Sequence, residues 1–138
     1  MPMHANRQPD PLIWIHCTDD EVVAGWIDFE SRPHGLHEDW IRDRSWWAVE
    51  AMMALQQHDP VRAMEVAFQI ARATDEPKVL EMLGAGPLED LLSDDSTLVD
   101  AVAIETLSSP NLRTALCSTW QNSMPDEVWQ AVQRLATS

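Results

Sequence analysis

Apolar residues along most of the chain recur at intervals of three and four positions, the spacing that lines one face of an α-helix. Leu88, Leu91 and Leu92 follow it in a short segment, and Val99, Val102 and other residues continue it further along the chain. No segment alternates with period two over the length of a strand, so no β-sheet is predicted. The pattern therefore predicts an all-α fold.

Proline and capping residues mark where the helices begin, because a first-turn N–H has no intrahelical partner for proline to remove. The prolines that read as helix starts are Pro60, Pro77, Pro87, Pro110 and Pro125. Thr18 and Glu21 have the spacing of a capping box. The short intervals predict about seven or eight helices stacked as antiparallel pairs, HEAT-like, in a single domain over residues 12–138. Residues 1–11, which are rich in proline, are expected to form a flexible arm.

Two helices stand out between residues 38 and 72. A long helix is predicted from about Glu38 to Gln57. In the next helix the polar residues form one narrow stripe at steps of three and four, namely Arg62, Glu65, Gln69 and Arg72. Since nearly all of the remaining surface is apolar, this helix should pack on most sides and lie at the centre of the fold.

The segment Lys78–Leu92 predicts two short helices joined by a Gly-Ala-Gly corner. Gly84 suits the left-handed conformation that often ends a helix, and Pro87 suits the start of the next one. Both helices carry an apolar face, so the corner should be buried. A phosphate-binding loop is not favoured, because no strand precedes the glycines and no lysine follows them. Ser96 is expected to cap the helix that follows.

Charge narrows the classes of function. The 138 residues include 9 basic and 23 acidic side chains, a net charge of −14. Such a surface opposes direct binding to nucleic acid, which requires neutralised phosphates, and to anionic membranes. The charge fits either simple solubility or a basic protein partner.

The cellular compartment is predicted from the cysteine content and from the apolar segments of the sequence. Cys17 and Cys117 are too few for a disulfide scaffold and predict reduced thiols. Cys117 is expected to pack as a small apolar group. The N-terminus lacks the basic and apolar regions of a secretory signal, and no apolar run reaches the length of a membrane span. We therefore expect a cytoplasmic protein.

The acidic residues are concentrated in one window. From Val79 to Leu112 there is no Lys or Arg, and seven acidic side chains give a net charge of −7. Capping and solvation explain part of this excess, since acidic residues favour first helical turns. A basic partner is the functional alternative, because such a field speeds encounter.

No catalytic motif is evident. His34 and His37, followed by Glu38, have an HxxH spacing, but zinc requires three or four ligands, and a solvated loop is the simpler interpretation. His16 and Cys17 are adjacent, and neighbouring residues rarely face each other as a nucleophile and its base. We expect no cofactor, no metal and no catalytic residue, although enzymatic activity is not settled by these patterns.

The sequence resembles a family of uncharacterised bacterial proteins. The resemblance is carried by Ala24-Gly25-Trp26-Ile27, Trp47, Asp59-Pro60, the run Ala85-Gly86-Pro87-Leu88-Glu89-Asp90-Leu91-Leu92, Asn111-Leu112-Arg113, Leu116, Trp120 and Trp129. It covers most of the chain after residue 18, and the AGPLEDLL run is its most specific part. It implies an all-helical domain and transfers no activity.

Three functional hypotheses follow. The first is a non-catalytic inhibitor, such as a bacterial immunity protein or antitoxin, that blocks a basic, nucleic-acid-targeting toxin. The residues expected to contact that partner are Glu89, Asp90, Asp94, Asp95 and Asp100, with Trp40 and Trp46 as aromatic anchors. The second is a helical adaptor or scaffold from an unrelated pathway. The third is a metal-dependent enzyme that uses His34 and His37.

Overall fold

A computed structural model describes residues 12–137, except for the side chain of His37. Within this range the chain forms no strand. Its α-helices are α1 (Ile13–His16), α2 (Asp19–Glu30), α3 (His37–Trp40), α4 (Trp46–His58), α5 (Pro60–Ala73), α6 (Pro77–Leu83), α7 (Glu89–Asp94), α8 (Val99–Thr106), α9 (Pro110–Leu116) and α10 (Asp126–Thr137). A π-helical turn, Gly84–Leu88, connects α6 to α7, and a 3-10 turn, Ser96–Leu98, precedes α8.

The all-α prediction is confirmed. The described part of the chain contains more helices than the seven or eight expected, because several are only one or two turns long. The HEAT-like arrangement stays a prediction, and the flexible arm predicted for residues 1–11 lies outside the described residues.

Helix α5 is the centre of the core, as its narrow polar stripe predicts. Half of its residues are buried, and it packs against α2, α4, α9 and the π-helical turn. Its stripe is used for polar contacts with other helices. Arg62 Nε lies 2.7 Å from Asp19 Oδ1 of α2, and Arg72 forms an ion pair of 2.6 Å with Glu105 of α8.

The prediction of one long helix over residues 38–57 is wrong. The chain forms the single turn α3, bends through residues 41–45 and begins α4 at Trp46. Side-chain contacts fix the bend. Asp43 accepts a hydrogen bond from the Ser45 backbone N–H at 2.8 Å, and the Ser45 hydroxyl donates to Asp28 of α2 at 2.6 Å. These bonds hold the bend against α2.

The prediction of a sharp Gly-Ala-Gly corner between two helices is also wrong. Gly84 has φ −69° and ψ −46°, ordinary right-handed helical values, and the chain continues through the π-helical turn into α7. The wider turn suits Pro87, whose ring clashes in a regular α-helix with the carbonyl group four residues earlier. The expectation that this segment is buried is confirmed, since Leu83, Leu88 and Leu92 have no solvent exposure.

Close approach to α9 explains the glycine at position 84. A Cβ atom placed there would lie 1.8 Å from the backbone oxygen of Ala115. The missing side chain therefore allows α6 to lie directly against α9, and the left-handed conformation is not the reason for it.

The predicted capping box is confirmed, since Thr18 and Glu21 form reciprocal bonds at the start of α2. Ser109 also acts as a cap by accepting from the Leu112 N–H at the start of α9. The cap predicted at Ser96 is wrong. The Asp95 carboxylate occupies that role by accepting from Thr97 N at 3.1 Å, because the helical turn begins one residue earlier than expected.

Candidate functional site

A largely apolar cavity of about 410 Å³ opens between α2, α3, α4 and the segment from α6 to α7. We call it the aromatic pocket. Its lining includes Trp26, Phe29, Glu30, His34, Trp40, Trp46, Val49, Met52, Met53, Gln56, Lys78, Met82, Gly86, Pro87 and Asp90. Volumes of this order are typical of sites for small ligands or single side chains of a partner.

Aromatic rings form one wall of the pocket. The ring of Phe29 stacks on that of His34 with centroids 3.8 Å apart, and it lies 5.4 Å from the ring of Trp46. The rings of Trp40 and Trp46 are tilted by 49° with centroids 6.0 Å apart. Trp26 and Phe29 are buried beneath, whereas Trp40 and Trp46 remain half-exposed. Part of each of these two tryptophan side chains therefore remains accessible to solvent.

Hydrogen bonds to the backbone orient two of these rings. Trp40 Nε1 donates to the Gly35 carbonyl at 3.2 Å. His34 Nε2 lies 2.6 Å from the Phe29 carbonyl, so this nitrogen carries the proton and donates. The His34 contact folds the loop after α2 back over the end of that helix, and the Trp40 contact joins α3 to this loop.

An ion-pair network holds this loop in place. Arg32 bridges Asp28 and Asp43, at 2.9 Å and 2.6 Å, and Arg44 approaches Asp28 at 3.0 Å. Hydrogen bonds from Arg44 and Ser45 and the positive charges of Arg32 and Arg44 hold the pKa of Asp28 well below its usual range, although partial burial opposes this shift. The network therefore fixes the segment that carries Trp40.

Glu30 is the unusual group in the pocket. Its side chain lies in the apolar lining, only 8% of the residue is exposed, and no described residue donates a hydrogen bond to its carboxylate. Burial raises the pKa of Glu30, and electrostatic interactions with His34 and Lys78 partly offset that rise. Lys78 Nζ donates to the Arg32 carbonyl at 2.9 Å instead of forming an ion pair with Glu30.

A shallower polar depression of about 490 Å³ adjoins the pocket, and we call it the acidic groove. It is lined by Met53, Gln56, Gln57, Asp90, Ser93, Asp94, Asn122 and Ser123. Met53, Gln56 and Asp90 also line the aromatic pocket. Asp90 Oδ2 accepts from Gln56 Nε2 at 3.3 Å. Burial raises the pKa of Asp90, and the charges of Glu89 and Asp94 add to this effect. The Ser93 hydroxyl is buried and has no hydrogen-bond partner within the described part of the chain.

Four of the seven predicted contact residues line the aromatic pocket, the acidic groove or both. Trp40, Trp46 and Asp90 line the aromatic pocket, and Asp94 joins Asp90 in the acidic groove. The other three lie outside both linings. Glu89 accepts from Trp120 N at 2.8 Å and Asn122 Nδ2 at 3.4 Å, Asp95 caps the 3-10 turn, and Asp100 lies exposed in the first turn of α8.

The sequence prediction did not include Phe29 and Glu30. A signal for Glu30 was present, because Val22, Trp26 and Glu30 are spaced four residues apart and so share one face of α2. A carboxylate on an otherwise apolar helical face indicates either a buried polar group or a ligand-binding one. Which of the two applies depends on the bend between α3 and α4, which local periodicity does not show.

A second depression, of about 730 Å³, lies between α6, α9 and α10. Its lining includes Glu81, Cys117, Trp120 and Trp129. The prediction that Cys117 packs as a small apolar group is wrong, because the residue is exposed just after α9 ends. Trp120 is 74% exposed. No buried charged side chain reaches this groove among the described residues, which distinguishes it from the aromatic pocket.

The described residues add no support to the hypothesis of a metal-dependent enzyme that uses His34 and His37. No group of three or more His, Cys, Asp or Glu side chains with metal-binding geometry occurs among them. The imidazole of His34 is committed to the Phe29 carbonyl through one nitrogen. The pairing of His34 with His37 stays a prediction, because the side chain of His37 lies outside what the structure describes.

Comparison with known protein families identifies a family for this chain, and the function of that family is unknown. The model of a family of unknown function, DUF6869, matches residues 37–138. The chain belongs to this family. The resemblance to an uncharacterised family is thereby confirmed, and the DUF6869 match contains Trp40, Trp46, Asp90 and Asp94. It begins after α2, so Phe29 and Glu30 of the aromatic pocket precede the matched region.

Neither the curated proteins nor the solved structures include a match to this DUF6869 chain. Over residues 12–137, no helix combines the length and the apolar character needed to cross a lipid bilayer.

Proposed function

We propose that the protein is a non-catalytic binding protein that engages a basic protein partner through the aromatic pocket and the acidic groove. The observation that supports this proposal most directly is the convergence of Trp40, Trp46 and Asp90 on one cavity, with Asp94 in the adjoining groove. Protein-binding hot spots commonly combine a pocket that accepts an anchoring side chain of the partner with a polar rim around it.

The charge distribution supports a basic partner. Asp90 and Asp94 are one helical turn apart on α7, and their carboxylates are close enough to raise the pKa of Asp90. Among the described residues that line the groove they share, there is no Lys or Arg. A cationic surface that docks there relieves the repulsion between these carboxylates and is drawn in by the net charge of −14.

In its most specific form the proposal is an immunity protein or antitoxin in the cytoplasm. The partner is then a toxin with a basic cleft for nucleic acid, and the domain acts by steric occlusion of that cleft without turnover. The net charge and the acidic groove support this form, because a nucleic-acid cleft is itself lined by cationic side chains.

Affinity capture from the native host tests the proposal, with the wild-type protein and two charge-reversal variants as bait. Asp94→Lys changes the acidic groove. Asp100→Lys makes the same change on α8, outside the groove and the pocket. We expect one stoichiometric basic protein to be recovered by the wild type and by Asp100→Lys, and to be lost with Asp94→Lys.

Equal loss in both variants would show that overall charge, and not this groove, determines binding, and would overturn the proposal. Undiminished capture by Asp94→Lys would do the same. Once the partner is purified, its nucleic-acid-degrading activity decides between the inhibitor and the adaptor. An inhibitor lowers that activity at a one-to-one ratio, whereas an adaptor leaves it unchanged.

A further inference from the structure

The aromatic pocket contains a largely buried carboxylate that forms no hydrogen bond or ion pair with a described residue. Glu30 is 8% exposed, and the charge of Lys78 offsets the cost of its burial only in part. Removal of a carboxylate from water is unfavourable unless an opposite charge or hydrogen bonds compensate it. A group that enters the pocket with a positive charge provides that compensation.

The ring arrangement favours the same kind of group. Phe29, Trp40 and Trp46 have centroids between 5.4 and 6.4 Å apart and so contact one another, and a group placed against this cluster comes close to more than one ring. A cation gains electrostatic attraction when it lies within about 6 Å of the face of an aromatic ring, most strongly for tryptophan. Lining residues such as Met52 and Met53 supply apolar contact for an alkyl chain.

Counted with a neutral imidazole at His34, the described residues that line the pocket carry a net negative charge. Glu30 and Asp90 contribute two carboxylates, and Lys78 contributes one ammonium group that is bonded to the Arg32 carbonyl. His34 donates from Nε2 to the Phe29 carbonyl. Asp90 lies at the junction with the acidic groove, so an arriving cation meets a carboxylate at the entrance and a second one, Glu30, in the lining.

We infer that the aromatic pocket binds an alkylammonium group, supplied by a lysine side chain of the basic partner, with Glu30 as its buried counter-charge. The alkyl chain packs between the tryptophan rings and the methionine side chains, and the ammonium group reaches the Glu30 carboxylate. The source of the lysine depends on the proposed function, whereas the chemistry of the pocket does not.

Short peptides test the inference without the partner. The probe is an acetylated and amidated Gly-Lys-Gly peptide, and its control carries norleucine, which keeps the alkyl chain and lacks the charge. Binding is followed through the indole N–H resonances of Trp40 and Trp46. We expect the lysine peptide to shift these resonances in a saturable way and the norleucine peptide to bind at least about tenfold more weakly.

A pair of variants locates the counter-charge. Glu30→Gln keeps the size of the side chain and removes its charge, and we expect it to weaken lysine-peptide binding about tenfold. Glu65→Gln removes a charge from the exposed side of α5 and should leave binding unchanged. An unchanged far-ultraviolet circular dichroism spectrum and a cooperative thermal transition would show that the Glu30→Gln variant is folded.

The outcomes separate this inference from the proposed function. Equal binding of the lysine and norleucine peptides would show a merely apolar pocket and overturn the inference, whatever affinity capture shows. Binding of tetramethylammonium but not of the lysine peptide would overturn the assignment to lysine. Peptide binding that depends on Glu30, with no basic protein captured, would support the pocket chemistry and contradict the proposed function.

Discussion

Gly84 shows how a single missing methyl group determines the packing of two helices. The atom that a side chain would strike is a backbone oxygen of α9, which cannot rotate away as the end of a side chain can. We predict that Gly84→Ala destabilises the protein by about 3 kcal/mol or more, at or above the upper end of ordinary overpacking. Urea unfolding monitored by tryptophan fluorescence measures this change.

Gly86→Ala is the matched control for this prediction. No atom lies within 4 Å of a Cβ at position 86, and the backbone there has no positive φ. Alanine costs less backbone entropy than glycine, so we expect a change within about 1 kcal/mol and towards greater stability. Similar losses in both variants would mean that the π-helical turn itself rejects a side chain, contrary to the packing explanation.

Glu30 should stabilise the fold more when it is uncharged. Its folded pKa is raised by burial, so its ionisation costs stability as the pH rises through the unfolded value of about 4.3 towards the folded pKa. His34, Lys78 and Asp90 share the pocket and are unchanged by the substitution. We predict that Glu30→Gln raises the melting temperature at pH 7 and has little effect near pH 3.

Melting curves of wild type and Glu30→Gln across this pH range provide the measurement. A lower melting temperature for the variant at pH 7 would show that the carboxylate is structurally satisfied and would weaken the case for a ligand. A gain in stability with a loss of peptide binding is the pattern expected of a residue retained for function.

At the scale of elements, Asp28 joins α2 to the loop that carries Trp40. Its carboxylate accepts from Arg32, Arg44 and Ser45, and the side chain is about one-third exposed. We predict that Asp28→Asn lowers the free energy of unfolding at pH 7 by about 1–2 kcal/mol, after allowance for solvent screening. Hydrogen exchange should lose protection mainly over residues 31–45.

The pH dependence of this effect has the opposite sign to that of Glu30. The folded pKa of Asp28 is lowered, so its contribution is fully present above the unfolded value of about 3.9 and is lost as the pH falls towards the folded pKa. Wild type and variant should converge in strong acid. Asp20→Asn, an exposed first-turn residue of α2, serves as the control and should change stability by less than about 1 kcal/mol.

The elements that the sequence predicts correctly are those determined by neighbours in the chain. The capping box of Thr18 and Glu21 and the narrow polar stripe of α5 depend on spacings of three and four residues. The break before Trp46 depends on Asp28, 17 residues before Ser45, and the conformation of Gly84 depends on α9. Periodicity contains no information about contacts of that separation.

At the scale of the whole molecule, the net charge of −14 repels itself in the folded state. We predict that sodium chloride raises the melting temperature at pH 7, most steeply between about 20 and about 300 mM, where the screening length shortens towards the size of a side chain. Near pH 4, where many carboxylates are protonated, the effect should be much smaller. A fall in melting temperature with salt at pH 7 would show that ion pairs such as Arg72–Glu105 outweigh the repulsion.

The candidate site shows the same division between local and distant information. The acidic window from Val79 to Leu112 contains Asp90 and Asp94, and the seven tryptophans of the chain include the predicted anchors Trp40 and Trp46. The sequence does not show that these two sets meet. They do so because the bend between α3 and α4 brings the tryptophans to the segment that contains Pro87.

The π-helical turn also sets the rotational phase between α6 and α7. Each residue of an α-helix advances the chain by about 100° around its axis, and a π-type turn accommodates about one residue more than a regular one. Deletion of the exposed Ala85 should regularise this stretch with little change in the direction of Leu91 and Leu92, but it forces the Pro87 ring against a helical carbonyl group, so the melting temperature should fall. A length change of one residue here should therefore be tolerated far less well than an outward-facing substitution at the same place.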